Sequence, residues 1–206
     1  MQTALLDTNV LFSRLLRDTF VHLHFHKAFR IVWTEDIMAE LVYRLRRRFP
    51  DWSENQVGGV RRNLVAAIGA EPITGYPSDG FADILDPNDR HLDAAAEYGN
   101  VDYVVTTDKK AMVPDPDKSV YEYFQADDFL VVCDDSMPEL VRMALLTNLG
   151  FHISRAKKLG SNFEDFPNFP EKYHSAGTPV FAERVRGHFQ RFDMSRIWAD
   201  PPKLSP

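Results

Sequence analysis

Short apolar runs alternate with stretches of helical spacing along the first two thirds of the chain. Four runs are apolar enough to form buried strands, at residues 3–7, 30–33, 102–106 and 119–124. Between them, apolar residues recur with the period of a helix, most clearly over residues 37–45 and 89–98. Strands that alternate with helices through short connections predict an α/β fold with a mostly parallel sheet flanked by helices.

The pattern changes near residue 135. A helix over residues 139–149 is predicted to stop at Gly150, and the segment beyond it is rich in proline, aromatic and basic residues. The aromatic residues are Phe163, Phe166, Phe169, Tyr173, Phe181, Phe189, Phe192 and Trp198, and the basic residues among them include Lys157, Lys158, Arg184, Arg186, Arg191 and Arg196. Such a segment can bind single-stranded nucleic acid, or it can form a small satellite core or a subunit contact. We therefore predict an α/β domain over residues 1–134 and a mainly helical extension over residues 135–206.

Charge is unevenly distributed along the chain. Residues 1–136 hold 14 Lys and Arg against 23 Asp and Glu, and residues 137–206 hold 10 against 7. An acidic N-terminal part argues against broad electrostatic binding of nucleic acid there, but it suits a cation site. No run approaches the roughly 18 apolar residues that a membrane span needs. With Cys133 as the lone cysteine and no signal peptide at the start, we expect a cytoplasmic protein without a membrane segment.

Four acidic residues are predicted to lie near the carboxyl ends of parallel strands. Asp7 and Asp108 each follow a predicted strand, while Glu40 and Asp89 lie on the helices beside them. In open α/β sheets, ligands bind at the carboxyl ends of the strands. Carboxylates that lie close together disfavour one another's ionisation unless a cation compensates them. The pattern therefore predicts a site for Mg²⁺ or Mn²⁺ that hydrolyses a phosphodiester bond.

Each of these acids also has a purely structural interpretation. Glu40 and Arg44 are four residues apart on one predicted helix, which is the spacing of a surface ion pair. Asp86, just before Asp89, is equally suited to capping the helix that follows.

Three histidines, His22, His24 and His26, lie close together in an earlier helical stretch. A helix places only His22 and His26 on one face, which is too few for a metal site. We interpret them as a solvated or partner-facing edge of that helix.

The motifs around the four acids resemble those of PIN-domain ribonucleases. They are Leu5-Leu6-Asp7-Thr8-Asn9-Val10-Leu11, Ile37-Met38-Ala39-Glu40-Leu41, Asp86-Pro87-Asn88-Asp89-Arg90-His91 and Thr106-Thr107-Asp108. The motifs match that family in order and spacing over residues 3–132. More narrowly, they are similar to those of the VapC-like toxins of bacterial toxin–antitoxin pairs. The resemblance implies a PIN-like sheet of roughly five parallel strands and Mg²⁺- or Mn²⁺-dependent endoribonuclease activity.

The resemblance also implies roles for individual residues. The catalytic and metal-binding acids would be Asp7, Glu40, Asp89 and Asp108. Three residues fall where the family has small polar groups that support the site, namely Thr8, Asn9 and Thr106.

The leading hypothesis is therefore the toxin of a toxin–antitoxin system that cleaves RNA. We expect a homodimer, neutralised by a small antitoxin protein that inserts an Arg-bearing segment among the acids, because a guanidinium binds carboxylates with two parallel hydrogen bonds. Two alternatives stay open. One is a housekeeping PIN nuclease in RNA processing, and the other is a module that binds metal or RNA without cleaving.

Overall fold

A parallel sheet forms the centre of the N-terminal part in the computed structural model, which describes residues 1–77, 90–108, 119–163 and 168–202. Its strands are β1 (Thr3–Leu6), β2 (Arg30–Val32), β3 (Tyr103–Thr106) and β4 (Glu122–Gln125), in the order β2-β1-β3-β4. Leu5 in β1 pairs with Val32 on one side and with Val104 on the other, and all three pairs of neighbouring strands are parallel. Every residue of β1 is buried, as expected for a parallel strand covered by helices on both faces. The predicted α/β fold is confirmed.

Helices connect these strands and make up most of the C-terminal part. In the described residues they are α1 (Thr8–Phe12), α2 (Arg14–Phe25), α3 (Glu35–Arg48), α4 (Glu54–Ile68), α5 (Arg90–Tyr98), α6 (Ala126–Ser136), α7 (Pro138–Lys158), α8 (Phe169–Ser175), α9 (Pro179–Phe189) and α10 (Met194–Ala199). The predicted helical character of the extension is confirmed.

The chain divides into two compact units. The first comprises Met1–Arg17 and Phe29–Ala126, and the second comprises Asp18–Ala28 and Asp127–Pro206. Helix α2 therefore contributes residues to both units. The division into domains at residues 134 and 135 stays a prediction.

The expected count of five strands is wrong for the described residues, where the sheet has four. The count of five came from the family resemblance, whereas the apolar pattern itself marks four runs, and each overlaps one observed strand. A further apolar run, residues 129–133, lies within α6 and adds no strand.

Helix α3 carries Glu40, and its position follows from the local sequence. Thr34 begins the helix by accepting a hydrogen bond from the backbone amide of Ile37 at 3.1 Å, which satisfies one of the free amides of the first turn. Ile37, Leu41 and Leu45 are buried along one stripe of the helix. Glu40 is half-buried at the edge of that stripe.

The first helical stretch breaks at Ser13, between α1 and α2. Ser13 has extended backbone angles, with φ −68° and ψ 110°. Arg17 donates a hydrogen bond to the backbone carbonyl of Leu11 at 2.8 Å. A side-chain donor thus satisfies a carbonyl that the end of α1 leaves without a helical partner.

In the second unit, part of the aromatic segment forms a core. Phe169, Tyr173 and Phe181 are at most 2% exposed, so the predicted satellite core is confirmed for these three. The Tyr173 hydroxyl lies 2.7 Å from Thr19 Oγ1 and accepts a hydrogen bond from Asn148 Nδ2 at 3.3 Å. Burying this phenol therefore leaves its polar atom paired.

The predicted helix stop at Gly150 is wrong, because α7 continues through it to Lys158. Gly150 is buried, and a Cβ atom built on it would lie 2.0 Å from the backbone oxygen of Pro202. The glycine therefore permits a close approach of two backbones rather than ending the helix. With 21 residues α7 is a long helix, yet no helix in the described ranges is both long and apolar enough to cross a membrane.

The interpretation of the histidines as a solvated or partner-facing edge is wrong for His22, which is 5% exposed and so buried within the chain itself. It lies one turn after Thr19, on the side of α2 that also buries Phe20 and Leu23. Burial, and to a lesser extent the nearby His26, lowers the pKa of His22 to about 4.

Candidate active site

Asp7 lies at the carboxyl end of β1, between the strand and α1. Its backbone amide donates to the carbonyl of Val105 in β3 at 2.9 Å, which fixes it beside the end of the neighbouring strand. Asp7 is also the N-cap residue of α1, but its side chain makes no capping hydrogen bond. An aspartate at that position ordinarily accepts a bond from the first turn of the helix. The carboxylate of Asp7 is therefore directed to other partners.

Two neutral donors hold the Asp7 carboxylate. Thr106 Oγ1 donates to Asp7 Oδ2 at 2.5 Å, and Asn9 Nδ2 donates to the same oxygen at 2.7 Å. Asp7 is only 7% exposed, and no cation of the described residues forms an ion pair with it. Burying a carboxylate without a compensating positive charge is costly. The site thus keeps a desolvated, oriented carboxylate that a cation would stabilise.

Thr106 also connects Asp7 to Asp108. Its hydroxyl accepts a hydrogen bond from the backbone amide of Asp108 at 3.1 Å while it donates to Asp7, and Thr106 itself is fully buried. The Asp108 carbonyl accepts a bond from Gln125 Nε2 at 3.0 Å, so the turn after β3 is held from β4 as well. The side chain of Asp108 is exposed at the same edge of the sheet.

Glu40 is connected to the site by a hydrogen bond with Thr8. The Thr8 hydroxyl donates to Glu40 Oε2 at 2.8 Å, and Thr8 is fully buried. The other oxygen, Oε1, lies 3.0 Å from Arg44 Nε, which is the ion pair that the spacing on α3 allows. Arg44 also donates to Asn9 Oδ1, and Asn9 in turn donates to Asp7. This second contact of Arg44 could not be predicted from the sequence, because a helical spacing reveals partners on the same helix only.

The structure therefore joins six of the seven predicted site residues in one network of hydrogen bonds. The joined residues are Asp7, Thr8, Asn9, Glu40, Thr106 and Asp108. Asp89, like Asp86, lies outside the described residues, so its place in the site stays a prediction.

Among the described residues, Asp93 is the buried acid nearest in sequence to Asp89. It is 1% exposed on α5, and it accepts a hydrogen bond from the Tyr121 hydroxyl at 2.7 Å. Burial, together with this bond, raises the pKa of Tyr121. The phenol therefore remains a donor, and Asp93 has a structural role in joining α5 to the residue just before β4.

The oxygen atoms at this edge are hard ligands, which suit a divalent cation such as Mg²⁺ or Mn²⁺. Across residues 1–77, 90–108, 119–163 and 168–202, however, no three Asp, Glu, His or Cys side chains are grouped closely enough to hold a metal ion. Glu40 is paired with Arg44, and Asp108 reaches Asp7 through Thr106. Asp7, desolvated and without a cation from the described residues, is the carboxylate that best fits a metal.

Comparison with known families places part of the chain in one of them. A family model described as PIN domain matches residues 3–110, slightly more than half of the 206 residues. No curated protein and no solved structure matches the chain. PIN domains are generally nucleases, which are hydrolases, and they typically use divalent metal ions.

Proposed function

The chain belongs to the PIN-domain family, and from that premise we propose that it is a metal-dependent endoribonuclease that hydrolyses RNA. Asp7, Glu40, Asp89 and Asp108 are the proposed catalytic and metal-binding acids, with Mg²⁺ or Mn²⁺ as the cofactor. Thr8, Asn9 and Thr106 are the proposed supporting residues.

One observation carries this proposal. The Asp7 carboxylate is buried at the carboxyl end of β1, does not cap the helix it precedes, and is held by Thr106 and Asn9 instead of by a cation. A purely structural aspartate at this position would cap α1 or form an ion pair. A carboxylate that is oriented and left without charge compensation among the described residues is suited to binding a metal ion.

The chain's own residues orient the acids. Thr106 fixes the Oδ2 atom of Asp7, which leaves Oδ1 as the oxygen without a hydrogen bond from the described residues. Thr8 holds one oxygen of Glu40, and Arg44 holds the other. When bound, a divalent ion supplies an activated water and neutralises charge on the leaving oxygen. Supporting hydroxyls of this kind fix ligand orientation, and their removal ordinarily weakens metal affinity or activity 10- to 100-fold.

The experiment that tests this proposal is cleavage of RNA by the purified chain under metal control. We expect activity to vanish in EDTA, to return with Mg²⁺ or Mn²⁺, and to stay absent with Ca²⁺, which binds hard-oxygen sites with looser geometry. Cleavage that continues in the chelator would contradict the metal mechanism. Binding of RNA without cleavage under every metal condition would favour the non-cleaving module.

We further propose that the chain is a toxin of a toxin–antitoxin pair. An Arg from an antitoxin would bind the proposed acids with paired hydrogen bonds and so displace the metal. This predicts that antitoxin and Mg²⁺ compete, and that an Arg→Ala change in the antitoxin weakens inhibition. Inhibition indifferent to both changes would contradict the proposal that an Arg plugs the site.

A further inference from the structure

The aromatic residues of the second unit fall into two sets. Phe169, Tyr173 and Phe181 are buried, as described above. Phe163, by contrast, is 42% exposed, and Phe189 is half-buried on α9. The core accounts for only part of this second set, because much of the Phe163 ring and part of the Phe189 ring stay open to solvent.

These more exposed rings line a pocket of about 350 Å³ within the second unit. Its walls include Phe163, Asn168, Phe169, Arg186, Phe189 and Gln190. The volume lies at the lower end of the range for small-molecule sites, which is roughly 300–1,000 Å³. A pocket of this volume has room for a planar ring system such as a nucleobase.

The walls combine flat apolar surface with a few polar groups. The rings of Phe169 and Phe189 stack at 5.5 Å with an interplanar angle of 18°. Asn168 and Gln190 add amide groups, which both donate and accept hydrogen bonds. Among the described residues that line the pocket, Arg186 is the one charged side chain, and its charge is positive.

The cation at the pocket is available for a ligand. Arg186 pairs with Glu183 at 3.2 Å, but both side chains are largely exposed. Ion pairs of this kind contribute little to stability, so the guanidinium can exchange its partner for a phosphate at small cost. Lys172 adds a second positive charge nearby, with its Nζ atom 5.9 Å from the centre of the Phe169 ring.

We propose that this pocket holds one unstacked base of a single-stranded RNA, with the phenylalanine rings as the stacking surface and Arg186 as the contact for the adjoining phosphate. Base stacking on aromatic side chains next to basic residues is the usual means of binding single strands. An apolar peptide would use the rings but would leave the amides and the positive charge unmatched. The inference rests on the proposed ribonuclease function, because it names how the second unit takes part in holding the RNA.

The rest of the second unit extends the same combination of groups. Phe163 contacts Trp198 edge to face at 5.8 Å, and Lys157 Nζ lies 5.4 Å from the centre of the Trp198 ring. Basic side chains thus lie next to partly exposed rings at Trp198 as well as at the pocket. Such a combination suits a polyanion whose bases are free to stack.

The test measures binding of fluorescein-labelled ten-nucleotide rU, rC and rA strands to the full chain in EDTA, where the proposed nuclease does not turn over. Phe163→Ala removes a ring of the pocket, and Phe151→Ala is its matched control, because Phe151 is 46% exposed in the same unit and does not line the pocket. We expect Phe163→Ala to weaken binding about fivefold or more, the lower end of what one stacked base contributes. Phe163→Trp should restore it.

Arg186→Ala tests the phosphate contact, and Arg184→Ala is its control, because Arg184 lies on the same helix and is equally exposed but does not line the pocket. Loss of one phosphate contact should make the slope of log affinity against log salt less steep by about 0.7, as expected for single strands. Arg184→Ala should leave the slope unchanged.

The outcomes decide the proposal independently of catalysis. Equal affinities for Phe163→Ala and Phe151→Ala, or no binding of any strand, would overturn the pocket as an RNA site and leave it to another ligand such as a protein partner. Weaker binding by Phe163→Ala and a shallower slope for Arg186→Ala would support it even if the wild type cleaved no RNA with Mg²⁺ or Mn²⁺, an outcome that would refute the proposed function alone.

Discussion

Thr106 is the residue through which the site can be tested without touching an acid. Its buried hydroxyl donates to Asp7 at 2.5 Å and accepts from the amide of Asp108 at 3.1 Å. Thr106→Val keeps the shape of the side chain but removes the hydroxyl, whereas Thr106→Ser keeps the hydroxyl and removes a methyl group. The pair of variants therefore separates the hydrogen bonds from the packing.

The expected magnitude follows from these contacts. A hydrogen bond to a charged group contributes about 1.5–3 kcal/mol to stability, and the bond from Asp108 is worth less because water can replace it at an exposed residue. Loss of one buried methyl group costs about 1 kcal/mol. We expect Thr106→Val to lower the free energy of unfolding of the metal-free protein by about 2–3 kcal/mol, and Thr106→Ser by about 1 kcal/mol.

Urea unfolding in EDTA, followed by tryptophan fluorescence, provides the assay. The chain has three tryptophans, and a Trp198→Phe background leaves Trp33 and Trp52 as reporters, both within the first unit. In an Asp7→Asn background the cost of Thr106→Val should shrink, because a neutral amide accepts a weaker bond. Equal stability of Thr106→Val and Thr106→Ser, or an unchanged cost in the Asp7→Asn background, would refute the reasoning.

Three further predictions concern the second unit. The pKa of the buried His22 is lowered to about 4 from an ordinary 6.5, so its contribution to stability is fully present above pH 6.5. As the pH falls from 6.5 towards 4, the free energy of unfolding should drop by up to about 3 kcal/mol, because the unfolded chain takes up the proton first. His22→Gln should therefore flatten the acid limb of a curve of stability against pH. Burial raises the pKa of the Cys133 thiol to about 12, so native protein should react slowly with a thiol reagent at pH 8 and quickly in urea; fast native labelling would contradict the burial. Tyr173→Phe leaves Thr19 and Asn148 without the phenol that pairs with them, and urea unfolding should show a loss of about 1–3 kcal/mol, whereas no loss would mean that the network is dispensable.

The strands and the order of the acids could be predicted from the sequence, because both depend on local patterns. An apolar run that ends in Asp7 or in Thr106-Thr107-Asp108 marks the end of a parallel strand, and the ends of neighbouring strands meet at one edge. The ion pair of Glu40 with Arg44 follows from helical spacing in the same way.

Other features depend on contacts between residues far apart in the chain. In the sequence, Gly150 indicates the end of a helix. In the structure, the glycine is explained by the backbone of Pro202, which lies against it. His22 reads as a surface residue until the packing of α2 in the second unit is known. The phenol that holds Asp93 comes from Tyr121, 28 residues away, and no spacing rule connects them.

The central claim is that Asp7 is the centre of a ribonuclease site, and mapping of cleaved RNA ends after inducible expression tests it most directly. Asp51→Asn, a change of the same kind at an exposed turn residue, is the matched control for Asp7→Asn. We expect wild type and Asp51→Asn to produce the same new RNA ends, and Asp7→Asn, at equal protein level, to produce none. Identical ends from the Asp7→Asn variant would contradict it.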